Sequence, residues 1–154
     1  MIFLLDLGNE SLNRCLFDTK AEKKYRTYTD KRKSEGEYLL LRKQYLAFEN
    51  VKEEEIEGAI LASVVPSRTN RIKNAVSKLI KKECLIVNKT LKTGLAIRMD
   101  NPGEVGSDLL CNCVGALSLG LKDYFIADLN SLSAFIVCTA KKEFYGGALF
   151  PGRR

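Results

Sequence analysis

A short apolar run ending in an aspartate occurs twice in this chain, and that repeat constrains the fold more than any other feature. Ile2-Phe3-Leu4-Leu5-Asp6-Leu7-Gly8-Asn9 is echoed by Tyr124-Phe125-Ile126-Ala127-Asp128-Leu129-Asn130-Ser131. Each copy has the composition of a buried strand, broken by one acid and closed by a small polar turn. A returning strand follows each, over Leu12 to Phe17 and over Ser133 to Cys138. Each copy therefore predicts a hairpin whose turn carries an aspartate, and such a turn presents backbone N–H groups to an anion. Two copies of one strand–turn–strand unit predict a duplicated fold with a ligand between its halves.

The residues between the copies alternate in periodicity. From Lys20 to Lys33 the chain is crowded with Lys and Arg, and Tyr25, Thr27, Tyr28 and Thr29 alternate as a third strand would. A solvated edge strand protected by lysines explains that run more simply than a nucleic-acid surface. Tyr38, Leu41, Tyr45 and Phe48 recur at helical spacing and predict a helix ending near Glu53-Glu54-Glu55. Ile60 to Val65 reads as a buried strand stopped by Pro66. Ile72, Ala75, Val76, Leu79 and Ile80 mark an amphipathic helix with Arg71, Lys73, Lys78 and Lys81 on its wet side, and Leu85 to Val87 is another short strand. A three-strand meander followed by alternating helix and strand predicts a mixed sheet covered by helices. Glu143 to Phe150 supplies the third strand of the second copy and closes on Gly146-Gly147 and Pro151-Gly152.

Ile97 to Asp108 reads as a loop feeding a helix. Asn101 is a favoured N-cap, Pro102 suits the first helical position, and Glu104 stands where a capping-box acid would reach back. Asp108 then falls on the second turn. Leu110, Cys113, Val114 and Leu117 form the apolar stripe, and Asp108 lies off it; an isolated aspartate there would be an ordinary solvated charge.

The chain has no histidine, so acid–base chemistry falls to a carboxylate, a lysine, a cysteine or a tyrosine. A net charge of +6 favours anionic partners, either nucleotide phosphates or nucleic acid, without choosing between them. Five cysteines sit mainly in apolar segments, and Cys111-Asn112-Cys113 has neither a second pair nor a histidine to complete a zinc site, so reduced core thiols are expected. Asp6 interrupts the apolar opening and no other run could span a bilayer, so a cytoplasmic protein is expected.

Asn101-Pro102-Gly103-Glu104-Val105-Gly106-Ser107-Asp108 resembles the Asp-Asn-Pro-x-Glu-Val-Gly-Ala-Asp-Arg segment of type III pantothenate kinases. Asp6-Leu7-Gly8-Asn9 is similar to that family's first phosphate loop, and Ala59 to Pro66 to its Ile-Ser-Ser-Val-Val-Pro strand end. Lys92-Thr93-Gly94-Leu95 resembles its Lys-Thr-Gly segment, and Gly146 to Gly152 its Gly-Gly-Ala-Ile-x-Pro-Gly segment. The matches run through the whole chain in order. The resemblance implies an α/β chain of the acetate and sugar kinase/Hsp70/actin superfamily, with a ribonuclease H-like/actin-like ATPase fold of mixed sheet and flanking helices. It implies a first domain over residues 1–121, and over 122–154 the opening three-strand unit of a truncated second domain.

By the same resemblance the activity is ATP-dependent phosphorylation of pantothenate, the first step of coenzyme A biosynthesis. Asp6 would help hold the magnesium of Mg-ATP. Gly8, Asn9, Glu10, Ser11, Leu12 and Asn13 would line the phosphates through their backbone, with Ser131 also at the nucleotide. Asp108 would accept the proton of the pantothenate hydroxyl as it attacks the γ-phosphate, and Met99, Gly106, Ser107 and Leu109 would flank the substrate. Asp128 would hold a monovalent cation, potassium or ammonium, and the protein would be a homodimer.

Four positions depart from the family pattern. Asn130 replaces the glycine of the second phosphate loop, and Glu10 stands where the first loop has threonine. Leu109 replaces the arginine after the catalytic aspartate, and Met99 the tyrosine before Asp-Asn-Pro. An arginine lost from an anion site removes a bidentate carboxylate partner. The alternative reading is therefore an inactive remnant acting as a ligand-binding or regulatory protein, akin to the family's Bvg accessory factor branch.

Overall fold

Alternation along the first strand decides how the first half is built. Phe3, Leu5 and Leu7 are buried while Asp6 is exposed, as the two-residue repeat of a pleated strand requires. The structure, a computed structural model, describes residues 1–18, 21–28, 32–88, 90–120, 123–129 and 132–152. These fall into two compact units, Met1–Val87 and Asn88–Arg154.

In the first unit β1 (Ile2–Leu7), β2 (Ser11–Asp18) and β3 (Ala21–Tyr28) form an antiparallel meander. β4 (Gly58–Ser63) and β5 (Cys84–Ile86) extend it in parallel, giving the order β3-β2-β1-β4-β5. The basic strand β3 is thus an edge, and its lysines blunt further pairing. Helices α1 (Glu35–Phe48) and α2 (Pro66–Ile80) pack on each other, and their buried residues join Phe3, Leu5, Leu7, Leu12, Leu16 and Leu61 in one core. α1 begins at a capping box in which Glu37 N–H donates to Ser34 Oγ (3.3 Å) and Ser34 N–H to Glu37 Oε2 (2.7 Å).

The stripe of α1 differs from the expected one. Tyr38 and Tyr45 are buried, but Phe48 is 72% exposed and Arg42 is 1% exposed. Phe48 instead meets Tyr25 edge to face at the sheet margin, with centroids 6.0 Å apart. Arg42 lies over Tyr38 at 5.0 Å and donates from Nη1 to the Tyr38 carbonyl (2.8 Å), while Nε and Nη2 have no partner. Arg14 stacks in the same way over Tyr45. Burial, reinforced by the Arg14 charge, brings the Arg42 guanidinium down to about 10.

The second unit repeats the meander. β7 (Tyr124–Leu129), β8 (Leu132–Cys138) and β9 (Glu143–Pro151) are antiparallel neighbours, and the short strand β6 (Ala96–Ile97) joins β9 in parallel, in the order β6-β9-β8-β7. β6 falls where a loop is expected from sequence; two residues carry too little pattern to announce a strand. Helix α3 (Ser107–Ser118) packs on β7 and β8. Its stripe is narrower than expected, since Leu110 and Cys113 are buried, Leu117 is half-buried and Val114 is exposed. Residues 88–121, read from sequence as part of a first domain, pack in this unit.

No disulfide joins the five cysteines, but they are not all core residues. Cys84, Cys113 and Cys138 are buried, Cys15 is half-buried and Cys111 is exposed on α3. Burial pushes the Cys113 thiol up to about 12, with Cys138 beside it adding to the shift, and burial brings Cys84 to about 11. Brief iodoacetamide treatment of the native protein near neutral pH should label Cys111 first and spare Cys84, Cys113 and Cys138, read by peptide mass spectrometry; labelling of Cys113 ahead of Cys111 would contradict this packing.

A buried cation without an anion is a net cost that an apolar residue of similar volume avoids. Arg42→Met should therefore raise the stability measured by urea unfolding by about 1–4 kcal/mol. A loss of that size would show that the Tyr38 contacts outweigh desolvation.

Candidate functional site

The turn after β1 is closed by its own backbone. Gly8 N–H donates to the Ser11 carbonyl (2.9 Å), and Asp6 lies directly opposite Asn13 in the ladder. Asn13 Nδ2 donates to Asp6 Oδ2 (2.9 Å), fixing an exposed carboxylate with one oxygen engaged. Ser11 and Leu12 are buried, so a ligand at this turn could meet only their backbone. Asn9 and Glu10 are exposed at the tip. A Cβ on Gly8 would meet nothing nearer than the Ser11 carbonyl at 3.5 Å, and Gly8 is not among the positive-φ glycines, so packing alone does not require glycine here.

Asp128 holds the corresponding place in β7. Like Asp6 it is the penultimate residue of the first strand of a three-strand meander. Asn112 Nδ2, from α3, donates to its Oδ2 (2.9 Å), so this half-buried carboxylate is tied to the helix that also carries Asp108. Ser131 and Asn130 lie outside the described residues.

The central segment departs from its sequence reading. Pro102–Glu104 forms a single 3-10 turn, and the helix begins at Ser107 with Gly106 as its N-cap. Asn101 does not cap it; its side-chain amide donates to Glu104 Oε1 (3.0 Å), and Val105 and Gly106 are extended. Asp108 consequently stands in the first turn, where the helix dipole favours an anion. Its Oδ1 accepts from the Leu109 N–H (2.9 Å). A Cβ on Gly106 would lie 2.3 Å from that oxygen, so the missing side chain at 106 is what lets the carboxylate fold back over the helix start. Ser107 is buried, and Leu109 is half-buried against the second core.

Met99 lines a cavity of about 380 Å³ with Arg98, Asp100, Asn101, Glu104 and Tyr145. Arg98 is engaged there: Nε donates to Glu143 Oε1 (3.1 Å), Nη2 lies 3.0 Å from the same oxygen, and Tyr145 OH donates to Glu143 Oε2 (2.9 Å). Tyr145 and Arg98 together hold the Glu143 carboxyl below its ordinary range. Met99 also packs on Gly146, whose φ is +95° and whose added Cβ would meet Met99 Sδ at 3.3 Å. A Cβ on Gly147 would lie 2.1 Å from the Phe135 carbonyl, where the β8–β9 register shifts between Ile136 and Cys138. The Gly-Gly pair is thus demanded by the sheet itself.

Sequence reading missed Arg68. Four residues before Ile72, it stands on the buried stripe of α2; it is 3% exposed and donates from Nη2 to the Asn9 carbonyl (3.2 Å). A charge at a stripe position is the signal that could have found it.

Among the described residues no group of three or more His, Cys, Asp or Glu gathers to hold a metal. A single exposed carboxylate such as Asp6 still suits a magnesium that keeps most of its waters and shares its remaining ligands with phosphate. No helix among the described residues is long and apolar enough to cross a membrane.

Comparison with known proteins gives a family and a fold. The profile of the family described as type III pantothenate kinase matches residues 2–154. YeaZ from Pseudomonas aeruginosa is 12% identical, with 99% of this chain and 68% of that one covered at a TM-score of 0.52. A Sinorhizobium meliloti protein assigned as a 2-dehydro-3-deoxygalactonokinase is 13% identical over 98% of this chain and 53% of its own, at a TM-score of 0.61. A reductive activator for a corrinoid, iron-sulfur protein matches 88% of this chain and 28% of its own, at 13% identity and a TM-score of 0.54. Identities this low speak to the fold alone, which is actin-like ATPase, as the family resemblance of the sequence implied. The chain spans about half the length of the Sinorhizobium protein and two thirds that of YeaZ.

The close backbone approach at Gly147 gives a direct check. Gly147→Ala should destabilise by about 1–3 kcal/mol in urea unfolding, because rigid backbone must move. Gly106→Ala should cost less, because only the Asp108 side chain need turn. Equal effects would mean that β9 can shift freely against β8.

Proposed function

We propose, from the premise that this chain belongs to the type III pantothenate kinase family, that its chemistry is ATP-dependent phosphorylation of pantothenate in coenzyme A biosynthesis in the cytoplasm. The observation that carries the reading is the paired arrangement of Asp6 and Asp128, each penultimate in the first strand of a three-strand meander. In this reading the duplication boundary lies near residue 121, although packing divides the chain at 87/88.

Phosphoryl transfer needs alignment and charge neutralisation more than covalent chemistry. Asp6 would hold hydrated magnesium, which supplies charge neutralisation at the β- and γ-phosphates. Gly8 to Asn13 would meet the phosphates through backbone. Asp108, in the first turn of α3, would accept the hydroxyl proton. Asp128 would hold potassium or ammonium. Met99, Gly106, Ser107 and Leu109 would border the substrate.

A homodimer belongs to the same proposal. The outer face of the second sheet carries Phe125, Leu129 and Phe150 in the open, with Phe135 between Phe125 and Phe150 at 5.8 and 5.7 Å, and apolar surface of that kind favours self-association.

One observation favours the second reading, a binding protein without turnover. Arg98 is neutralised by Glu143, so the cavity holding Met99 presents Asp100 and Glu104 without a spare cation for a carboxylate substrate, and Leu109 does not restore one.

Turnover of pantothenate with Mg-ATP and potassium, followed by labelled phosphate transfer, tests both readings. If turnover occurs, Asp108→Asn should lower kcat by about 10²–10⁴-fold. Stability should stay within about 0.5 kcal/mol, because asparagine keeps the Oδ1 acceptor. Retained turnover in that variant would remove Asp108 from the base role, and binding without transfer in the parent would favour the second reading.

A further inference from the structure

A cavity of about 340 Å³ lies within the first unit, lined by Asn9, Val65, Ser67, Arg68 and Arg71. It is separate from the Asp6 carboxylate. Asp6 projects from the face of β1 opposite Phe3, Leu5 and Leu7, whereas Arg68 and Arg71 belong to α2, whose Ile72 and Val76 share the core with those three residues.

Three features of the lining call for an anion. Arg68 is 97% buried by its 3% exposure, and its Nη2 bond to the Asn9 carbonyl places the guanidinium at the cavity wall; Nη1 has no partner. The Arg68 charge has no carboxylate on it among the described residues, and an oxyanion is the counter-charge that suits a guanidinium best. Arg71 is exposed one turn's reach away and makes no hydrogen bond or ion pair among the described residues. The start of α2 is uncapped: Val65 contributes no side-chain bond, Pro66 has no N–H, and the Arg68 and Thr69 amides both turn to the Val65 carbonyl. The Ser67 amide and hydroxyl remain, at the positive end of the helix dipole. No carboxylate lines the cavity.

We propose that this cavity binds a phosphate-class oxyanion, held between the Arg68 and Arg71 guanidinium groups at the start of α2. The anion lies against the Arg68 charge, and because Arg68 also holds Asn9, occupancy braces the turn that carries Gly8 and follows Asp6. The site stands whether or not the chain transfers phosphate.

Calorimetry and thermal unfolding of the full chain with inorganic phosphate, against chloride at matched ionic strength, test it. Phosphate should bind in the millimolar range and raise the unfolding midpoint where chloride does not. Arg71→Ala should weaken phosphate binding on the order of tenfold, the worth of one charge-assisted hydrogen bond, and leave the midpoint without phosphate unchanged. Arg68→Gln should weaken it too; if that variant unfolds, the Arg71 result decides. Asp6→Asn should leave phosphate affinity intact, which keeps this test distinct from the nucleotide one. Tighter binding of phenyl phosphate than of inorganic phosphate assigns a phosphorylated ligand, and the reverse assigns the free ion. Phosphate acting no differently from chloride, or binding Arg71→Ala as tightly as the parent, would overturn the proposal.

Discussion

The first unit depends on β1 being paired on both edges. Antiparallel β2 and parallel β4 satisfy its backbone on either side, and the registers bring Asn13 and Ala62 level with Asp6. With both edges used, the strand cannot slip by one residue without turning Phe3, Leu5 and Leu7 away from the helices and Asp6 into them. The core thereby fixes the position of the carboxylate. On β7 the core acts from the other face: Tyr124 and Ile126 share the face of Asp128 and pack with the second core, so their burial sets where that carboxylate stands.

β7 differs from β1 in one respect that matters for its surroundings. β1 has β4 beside it, whereas β7 pairs among the described residues with β8 alone. It is therefore an edge strand with an apolar outer face, a surface prone to association. The charged edge β3 shows the opposite treatment, with Lys24 and Arg26 exposed along it.

Cations inside the first unit are handled unequally. Arg14 and Arg42 lie over tyrosine rings with no carboxylate among the causes that shift either group, so cation–π contact stands in for ion pairing. Arg68 has no such ring and spends one nitrogen on the Asn9 carbonyl. The first two arrangements belong to packing, while the third lies at a cavity beside the turn that follows β1.

What the sequence determined by itself is what local periodicity can carry. The apolar runs Ile2–Leu7 and Tyr124–Leu129, each broken by one acid, set both aspartates at strand ends, and the helical spacing from Ile72 to Ile80 set α2, because these patterns are written within one element. The order of elements and the segment matches carried the fold class. Tertiary structure decided the rest. Asn101-Pro102 has the local chemistry of a helix start, yet the helix waits for Ser107, where Gly106 leaves room for the Asp108 carboxylate. β6 exists only because β9 offers it a partner from a distant part of the chain. Whether an arginine lies in water or beneath a helix depends on which elements cover it; Arg42 and Arg68 stand at stripe positions of α1 and α2, and only the packing of other elements over those stripes buries them. Burial and pairing are set by contacts between segments far apart in the chain, and a periodicity read along one segment holds no information about them.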